Sequence, residues 1–277
     1  MAILNFYQHL PAHINPVAFR LGSISVAWYS LMYLAAFFTV YLLLVYRSKK
    51  GEGNFSREVI ADFLLYAIVG LLVGARVGYV IFYNPLYFWH SPVAIIWPFD
   101  AGGSYVGIHG MSYFGGLAGI VLASLIFVKK YAINFWELAD FAVPAIPAGY
   151  FFGRLGNFLN GELFGRVTDK PWGMYFGGGL LRHPSQLYEA FFEGLVLFVI
   201  LWAHRNNRKL SGQFLPMYLF GYGSFRFFIE FFREPDPQLG LFFGALTLNQ
   251  LFSILIMFSA FAIGFSIRRK DAKIAGR

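Results

Sequence analysis

Seven uninterrupted apolar stretches, at roughly 23–46, 58–83, 112–128, 135–153, 185–203, 213–232 and 247–267, decide what this chain can become. Each is about 20 residues long, the helix length that crosses the ~30 Å hydrocarbon core of a bilayer. Inside hydrocarbon every backbone N–H and C=O must be satisfied within the segment or in a closed barrel. Long continuous runs, rather than short alternating strands, select helices. Composition agrees. Charged residues make up 13% of the chain and hydrophobic residues 58%, whereas a soluble domain carries about 25% charged residues. The expectation is an all-α integral membrane protein of about seven transmembrane helices, forming one polytopic domain over residues 1–277. Gly115, Gly116 and Gly119 threaten the continuity of the third stretch, and Pro144 and Pro147 predict a kink in the fourth. In the second, Gly70, Gly74 and Gly78 recur every four residues, a spacing that lets helices approach closely.

The net charge of +8 resembles a nucleic-acid signal until the charges are placed. Arg47, Lys49, Lys50 and Arg57 follow the first stretch, and Lys129 and Lys130 the third. Arg205, Arg208 and Lys209 follow the fifth, and Arg268, Arg269, Lys270, Lys273 and Arg277 the seventh. In a seven-span chain all of these lie on one side, which the positive-inside rule makes cytoplasmic. The bilayer, not a nucleic acid, is the expected partner. The N-terminus is then outside and the C-terminus inside, with a small outer head region at about 154–184. Met1 to Pro16 lacks the basic start and long apolar run of a secretory signal. The chain has no cysteine, which excludes disulfides, thiolate metal sites and a cysteine nucleophile of its own.

Topology leaves several charges unexplained, and these point to chemistry. The run Gly153 to Gly165, GRLGNFLNGELFG, sets an arginine, two asparagines and a glutamate among glycines at the end of an apolar stretch. A charge at the edge of hydrocarbon usually has a task or a partner. Arg154 offers a planar donor fork suited to phosphate, and Asn157 and Asn160 can bond glycerol hydroxyls. Glu162 can balance the arginine or act as a base. In FRFFIEFFREPD, Arg226, Glu230 and Arg233 fall at i, i+4 and i+7, along one helix face. Glu230 can orient Arg226, or the three can simply tie helices together. In LRHPSQLYEAFFEG, His183 precedes a helix start at Ser185, and Glu189 and Glu193 lie one turn apart. His109 is the only group titrating near neutrality in the glycine-rich stretch 100–119. Arg76 either binds a headgroup or pairs within the bundle. Tyr29 either contacts substrate or belongs to an interfacial aromatic belt. Together these residues suggest an enzyme that grips a phospholipid headgroup. A lipid transporter or a structural membrane subunit are the rival readings, but no long internal repeat supports transport.

These residues resemble the prolipoprotein diacylglyceryl transferase family. The family pattern Gly-Arg-x-Gly-Asn-Phe-x-Asn-x-Glu-x-x-Gly is matched throughout Gly153–Gly165. AWYSLMY, GARVGYV, RHPSQLYEA and FRFFIEFFREPD extend the likeness, in order, over most of the chain. The resemblance implies catalysis at the outer face of the bacterial cytoplasmic (inner) membrane, with no metal or organic cofactor. Phosphatidylglycerol is the implied donor of a diacylglyceryl group to the lipobox cysteine thiol of a prolipoprotein signal peptide. A thioether forms and glycerol phosphate leaves. By motif, Arg154 is the implied phosphatidylglycerol-binding arginine. Asn157, Glu162, Gly165, Tyr29, Arg226 and Glu230 occupy other positions that matter in the family. One departure stands out. Phe114 occupies the place before Gly-Gly-Leu where the family commonly has histidine, so His109 or Glu162 becomes the candidate base.

Overall fold

The computed structural model describes residues 2–22, 24–99, 110–234, 242 and 246–275. The chain divides into two compact units, one made of Met1–Gly53 with Ala139–Arg277 and the other of Asn54–Leu138.

The first unit opens with helix α1 (Ala2–His13) and a hairpin of β1 (Val17–Leu21) and β2 (Ile24–Ala27), leading directly into α2 (Trp28–Lys49). The second unit is built on α3 (Arg57–Phe82), the short α4 (Pro85–His90) and α5 (Tyr113–Lys130). Ser56 caps α3 by accepting the Val59 N–H at 3.4 Å, and Ser112 caps α5 by accepting the Gly115 N–H at 3.2 Å. The glycines that threatened the third stretch do not break it. α5 runs unbroken for 18 residues. Gly115 and Gly119 instead face Gly70, Gly74 and Gly78 of α3 so closely that a Cβ on either would collide with α3 backbone. Backbones this close exchange dispersion contacts that larger side chains would prevent. Arg76 is buried here, donating from Nε to the Ile95 carbonyl at 2.7 Å, from Nη2 to Ala94 at 2.6 Å and from Nη1 to Gly110 at 3.1 Å. It gathers the chain that follows α4 against α3.

α6 (Phe135–Ala142) carries the chain back into the first unit. The kink predicted from Pro144 and Pro147 takes the form of a 3₁₀ turn at Val143–Ala145 between α6 and α7 (Ile146–Leu159). Gly149 and Gly156 press α7 against α2, Gly149 on Ala36 and Val40, and Gly156 on Met32 and Tyr29. After α7 comes a loop holding the two-residue strands β3 (Met174–Tyr175) and β4 (Leu181–Arg182), antiparallel and joined by Gly177, Gly178 and Gly179, all at positive φ. α1 fastens to this loop. Tyr7 donates to the Trp172 carbonyl, Gln8 to that of Pro171, and His9 stacks on Tyr175 with ring centroids 4.5 Å apart.

The chain then forms one long helix in three parts, α8 (Ser185–Glu189), a π-helical turn at Ala190–Val196, and α9 (Leu197–His204). α10 (Phe214–Ile229) and α11 (Leu248–Ala275) complete the unit. A capping box starts α11: Thr247 N–H donates to Gln250 Oε1 at 3.0 Å, and Gln250 N–H to Thr247 Oγ1 at 3.2 Å.

Among the described residues, four helices are long and apolar enough to cross a membrane: Trp28–Lys49, Arg57–Phe82, Ser185–His204 and Leu248–Arg269. The other three apolar stretches are helical as well. The distribution of side chains is the inverse of a soluble domain. Leu72, Val73, Phe258 and Phe261 are exposed, while Arg47, Gln186, Glu189, Glu193, Arg226 and Glu230 are buried. Such an arrangement suits an apolar solvent, in which charged groups must find partners inside the protein.

The basic residues that set the predicted orientation also have structural work. Arg47 donates to the Asp140 carbonyl at 2.9 Å and pairs with Glu52 at 3.0 Å, while Arg205 reaches Glu52 at the same distance. Burial alone would push the Glu52 carboxyl up, but hydrogen bonds from Arg205, Asn206 and Arg47 hold it below its ordinary range.

Candidate active site

The GRLGNFLNGE segment takes its shape from the geometry of one helix end and a glycine turn. Arg154 and Asn157 lie one turn apart near the end of α7, and Arg154 Nη1 donates to Asn157 Oδ1 at 3.2 Å. Asn160 caps the helix with its backbone N–H on the Gly156 carbonyl. Gly161 then turns the chain at φ 67°, a conformation glycine adopts without strain. That turn brings Glu162 back over the helix end, where Asn157 Nδ2 donates to Glu162 Oε1 at 2.9 Å. Arg154, Asn157 and Glu162 are therefore one hydrogen-bonded line.

The carboxylate that balances Arg154 is not Glu162 but Glu189, a residue the motif does not contain. Glu189 Oε2 lies 3.0 Å from Arg154 Nε, and Glu189 has no exposed side-chain surface. Its other oxygen, Oε1, accepts from Arg226 Nη1 and from Arg233 Nη1, the latter at 3.1 Å. Three guanidinium groups from α7, α10 and the turn after α10 converge on one buried carboxylate. The predicted alignment of Arg226, Glu230 and Arg233 along one face holds in this sense, since both arginines reach the same oxygen. Glu230 Oε2 sits 3.5 Å from Arg226 Nη2. Its Oε1 is anchored by Thr247 Oγ1 at 3.1 Å and Asn249 Nδ2 at 3.0 Å, which ties the arginine cluster to the start of α11.

A second buried glutamate, Glu193, stands one turn beyond Glu189. Its Oε1 is 4.0 Å from Arg226 Nη1, and its Oε2 meets the Tyr150 hydroxyl. Tyr150 also receives Arg154 Nε at 2.7 Å. The oxygens Glu189 Oε2, Glu193 Oε1 and Glu230 Oε2 are fully buried and lie near guanidinium groups, yet none has a well-angled hydrogen bond. Buried acceptors held short of full satisfaction are few in native proteins. Arg154 retains 13% exposure at its side chain, and among the described residues its Nη2 has no partner.

The remaining predicted residues fall as follows. Tyr29 packs against Gly156, one residue from Asn157, and its hydroxyl donates to Tyr33 at 3.0 Å. Gly165 is a backbone crossing point. Its N–H donates to the His183 carbonyl at 2.8 Å, it bridges Arg233, and a Cβ there would collide with the Phe232 carbonyl. This fixes the turn that carries Arg233. Arg76 belongs to the other unit, where backbone carbonyls occupy its donors. Phe114 is exposed at the start of α5. His109 lies outside the described residues. Glu189 and Glu193 stand out in the sequence only as neighbours on a helix, and nothing local singles out Tyr150. Two glutamates within an otherwise apolar span were the available signal.

A helical membrane protein whose interior holds an arginine–glutamate centre is the class this arrangement defines. The chain belongs to the prolipoprotein diacylglyceryl transferase family, whose pattern matches residues 16–266. It is 46% identical over 264 residues to the phosphatidylglycerol–prolipoprotein diacylglyceryl transferase of Chlorobaculum tepidum, covering 93% of this chain and 91% of that one. The like-named proteins of Bordetella avium and Wolinella succinogenes are 44% and 42% identical, covering 94% and 97% of this chain and 97% and 99% of theirs.

Proposed function

We infer that the chain transfers the diacylglyceryl group of phosphatidylglycerol to the thiol of a prolipoprotein, the first step of lipoprotein maturation. The names of the relatives support the two substrates. The single observation that carries the chemistry is Arg154, fixed by Tyr150, Glu189 and Asn157 yet with Nη2 left for an incoming anion.

In this reading the acceptor is the lipobox cysteine of the signal peptide. Its sulfur attacks the glycerol carbon that carries the phosphate. An S–C bond forms, the C–O bond breaks, and its electron pair leaves on the phosphate oxygen as glycerol phosphate. The thiol proton passes to a base, Glu162 or His109. A free thiol has a pKa of about 8.5, so at neutral pH a base or a positive field must raise the thiolate fraction. Arg154 and Arg226 stabilise the charge gathering on the leaving phosphate, and Arg233 supports them through Glu189. Asn157, Asn160 and Tyr29 hold the headgroup, Gly165 keeps the backbone beside them in place, and Arg76 and Glu230 position their surroundings.

In this reading the apolar stretches form seven spans in one polytopic domain, and the basic-residue pattern supports an outer head at about 154–184 and a cytoplasmic C-terminus. The centre would then face the outer (periplasmic) side of the bacterial inner membrane. Purified protein, phosphatidylglycerol and a lipobox peptide are expected to yield a heavier peptide, modified at its cysteine, by mass spectrometry. An unmodified peptide under conditions where the protein is folded would overturn the reading.

A further inference from the structure

Tyr150 is caught between a donor and an acceptor. Its oxygen receives Arg154 Nε at 2.7 Å, so its own proton must be directed elsewhere, and the Oε2 of Glu193 is there to take it. The hydrogen bonds therefore run in one direction, from guanidinium to phenol to carboxylate. The Tyr150 ring also lies beneath the guanidinium, with Arg154 Cζ 4.8 Å from its centroid. Tyr150 and its acceptor Glu193 are both firmly held. Tyr150 sits one turn before Arg154 on α7, and its ring is wedged edge-on against Tyr222. Glu193 is fully buried on the π-helical turn, and its neighbour Gly194 is so close to α7 that a Cβ would come within 2.8 Å of Phe151 Cα.

An arginine that binds phosphate by two parallel hydrogen bonds needs its plane fixed before the anion arrives. Glu189 supplies charge, but one carboxylate oxygen at Nε leaves the plane free to rotate about that contact. A phenol that accepts at Nε while its ring covers the guanidinium face removes that freedom. Resting on the proposed function, we propose that Tyr150 and Glu193 are positioning residues that set the plane of Arg154. Neither touches the reacting atoms. Glu193 acts by fixing the Tyr150 hydroxyl rotor so that its lone pair points at Arg154.

The test uses the whole protein in phosphatidylglycerol proteoliposomes with a lipobox peptide, comparing wild type, Tyr150→Phe, Glu193→Gln and the double variant. Each single change is expected to lower kcat by about 10–100-fold, the cost of misaligning a reacting group, while KM for phosphatidylglycerol shifts by less than about threefold. The double variant is expected to be no slower than Tyr150→Phe alone, because both changes cut one relay. Losses that multiply, or a loss confined to KM, would overturn the inference. Glu193→Gln preserves shape and carries the test if Tyr150→Phe does not fold. Wild-type rates in a folded variant overturn this inference alone, whereas no transfer by the wild type overturns the proposed function with it.

Discussion

Glu189 Oε2 approaches Arg154 Nε to 3.0 Å with no solvent on the carboxylate side. The pair joins a motif residue on α7 to a residue on α8 that lies in a different apolar stretch. The same carboxylate also holds Arg226 and Arg233, so one side chain joins all three guanidinium groups, with Glu193 and Glu230 as further counter-charges beside Arg226.

Removing the Arg154 fork is expected to stop transfer without unfolding the protein. Arg154→Ala should leave an inserted, detergent-stable chain with no measurable product. Arg154→Lys keeps the charge but not the planar fork, and its rate should fall by about 10²–10³-fold, the usual loss for one preorganised donor. Near-normal turnover in either variant would remove Arg154 from the site.

Neutralising the hub is expected to act on stability as well. Glu189→Gln leaves three guanidinium groups without their shared anion. Breaking a buried charge cluster from one side costs about 3–5 kcal/mol. Thermal unfolding in detergent should show a clear drop for Glu189→Gln, and a marginal one for exposed Glu234→Gln, whose pairing with Arg182 faces solvent.

Two glycine substitutions should have opposite signs. A Cβ at Gly119 strikes the Gly70 carbonyl, so Gly119→Ala must spread α3 from α5, at a cost of about 1–3 kcal/mol. A Cβ at Gly153 meets open space. Gly153→Ala should be neutral or stabilising by up to about 1 kcal/mol, from helix propensity. Equal melting temperatures for the two variants would contradict the close α3–α5 crossing.

The base can be assigned by pH–rate profiles. Replacement of the group that takes the thiol proton, by Glu162→Gln or His109→Ala, should slow transfer and remove the acidic limb of kcat/KM. The other variant should keep that limb. If both profiles match the wild type, neither residue is the base.

The surroundings of His183 imply a pH effect of definite sign. Burial, then the nearby positive charge of Lys170, lower its pKa from the ordinary value of about 6.5. The folded state thus binds this proton less readily than the unfolded chain. The stabilisation is complete above about pH 6.5 and is lost as pH falls through the lower folded value. Melting temperatures measured from pH 7.5 down to 5 should decline less steeply in His183→Gln than in the wild type.

What the sequence could reveal tracks how local each determinant is. The apolar stretches and the irregularity near Pro144 depend on neighbours in the chain, and they were readable; the Arg154–Asn157–Glu162 line is as local, but only its members, not their mutual bonds, stood out in the sequence. The continuity of α5 was not, because Gly115 and Gly119 are secured by glycines on α3 rather than by their own segment. Glu189 was visible as a charge in an apolar stretch. Its convergence with Arg154, Arg226 and Arg233 depends on three separate elements meeting. Arg47 and Arg205 were read as orientation signals, yet both also clamp Glu52, which spacing along the chain does not disclose.

The π-helical turn at Ala190–Val196 has a consequence for how this centre tolerates change in length. In an ordinary helix each residue advances the side chains by about 100°. Deleting one residue from this turn would relax it toward the common pitch and leave a greasy, insertable rod. The flanks would keep nearly the same direction, because the wide turn absorbs its extra residue within itself, but Glu193 inside it would change direction relative to Glu189, so the two could no longer address α7 and α10 together. The turn therefore acts as a phase setting, and a lineage that lost it would keep its place in the bilayer while losing the alignment of its charges.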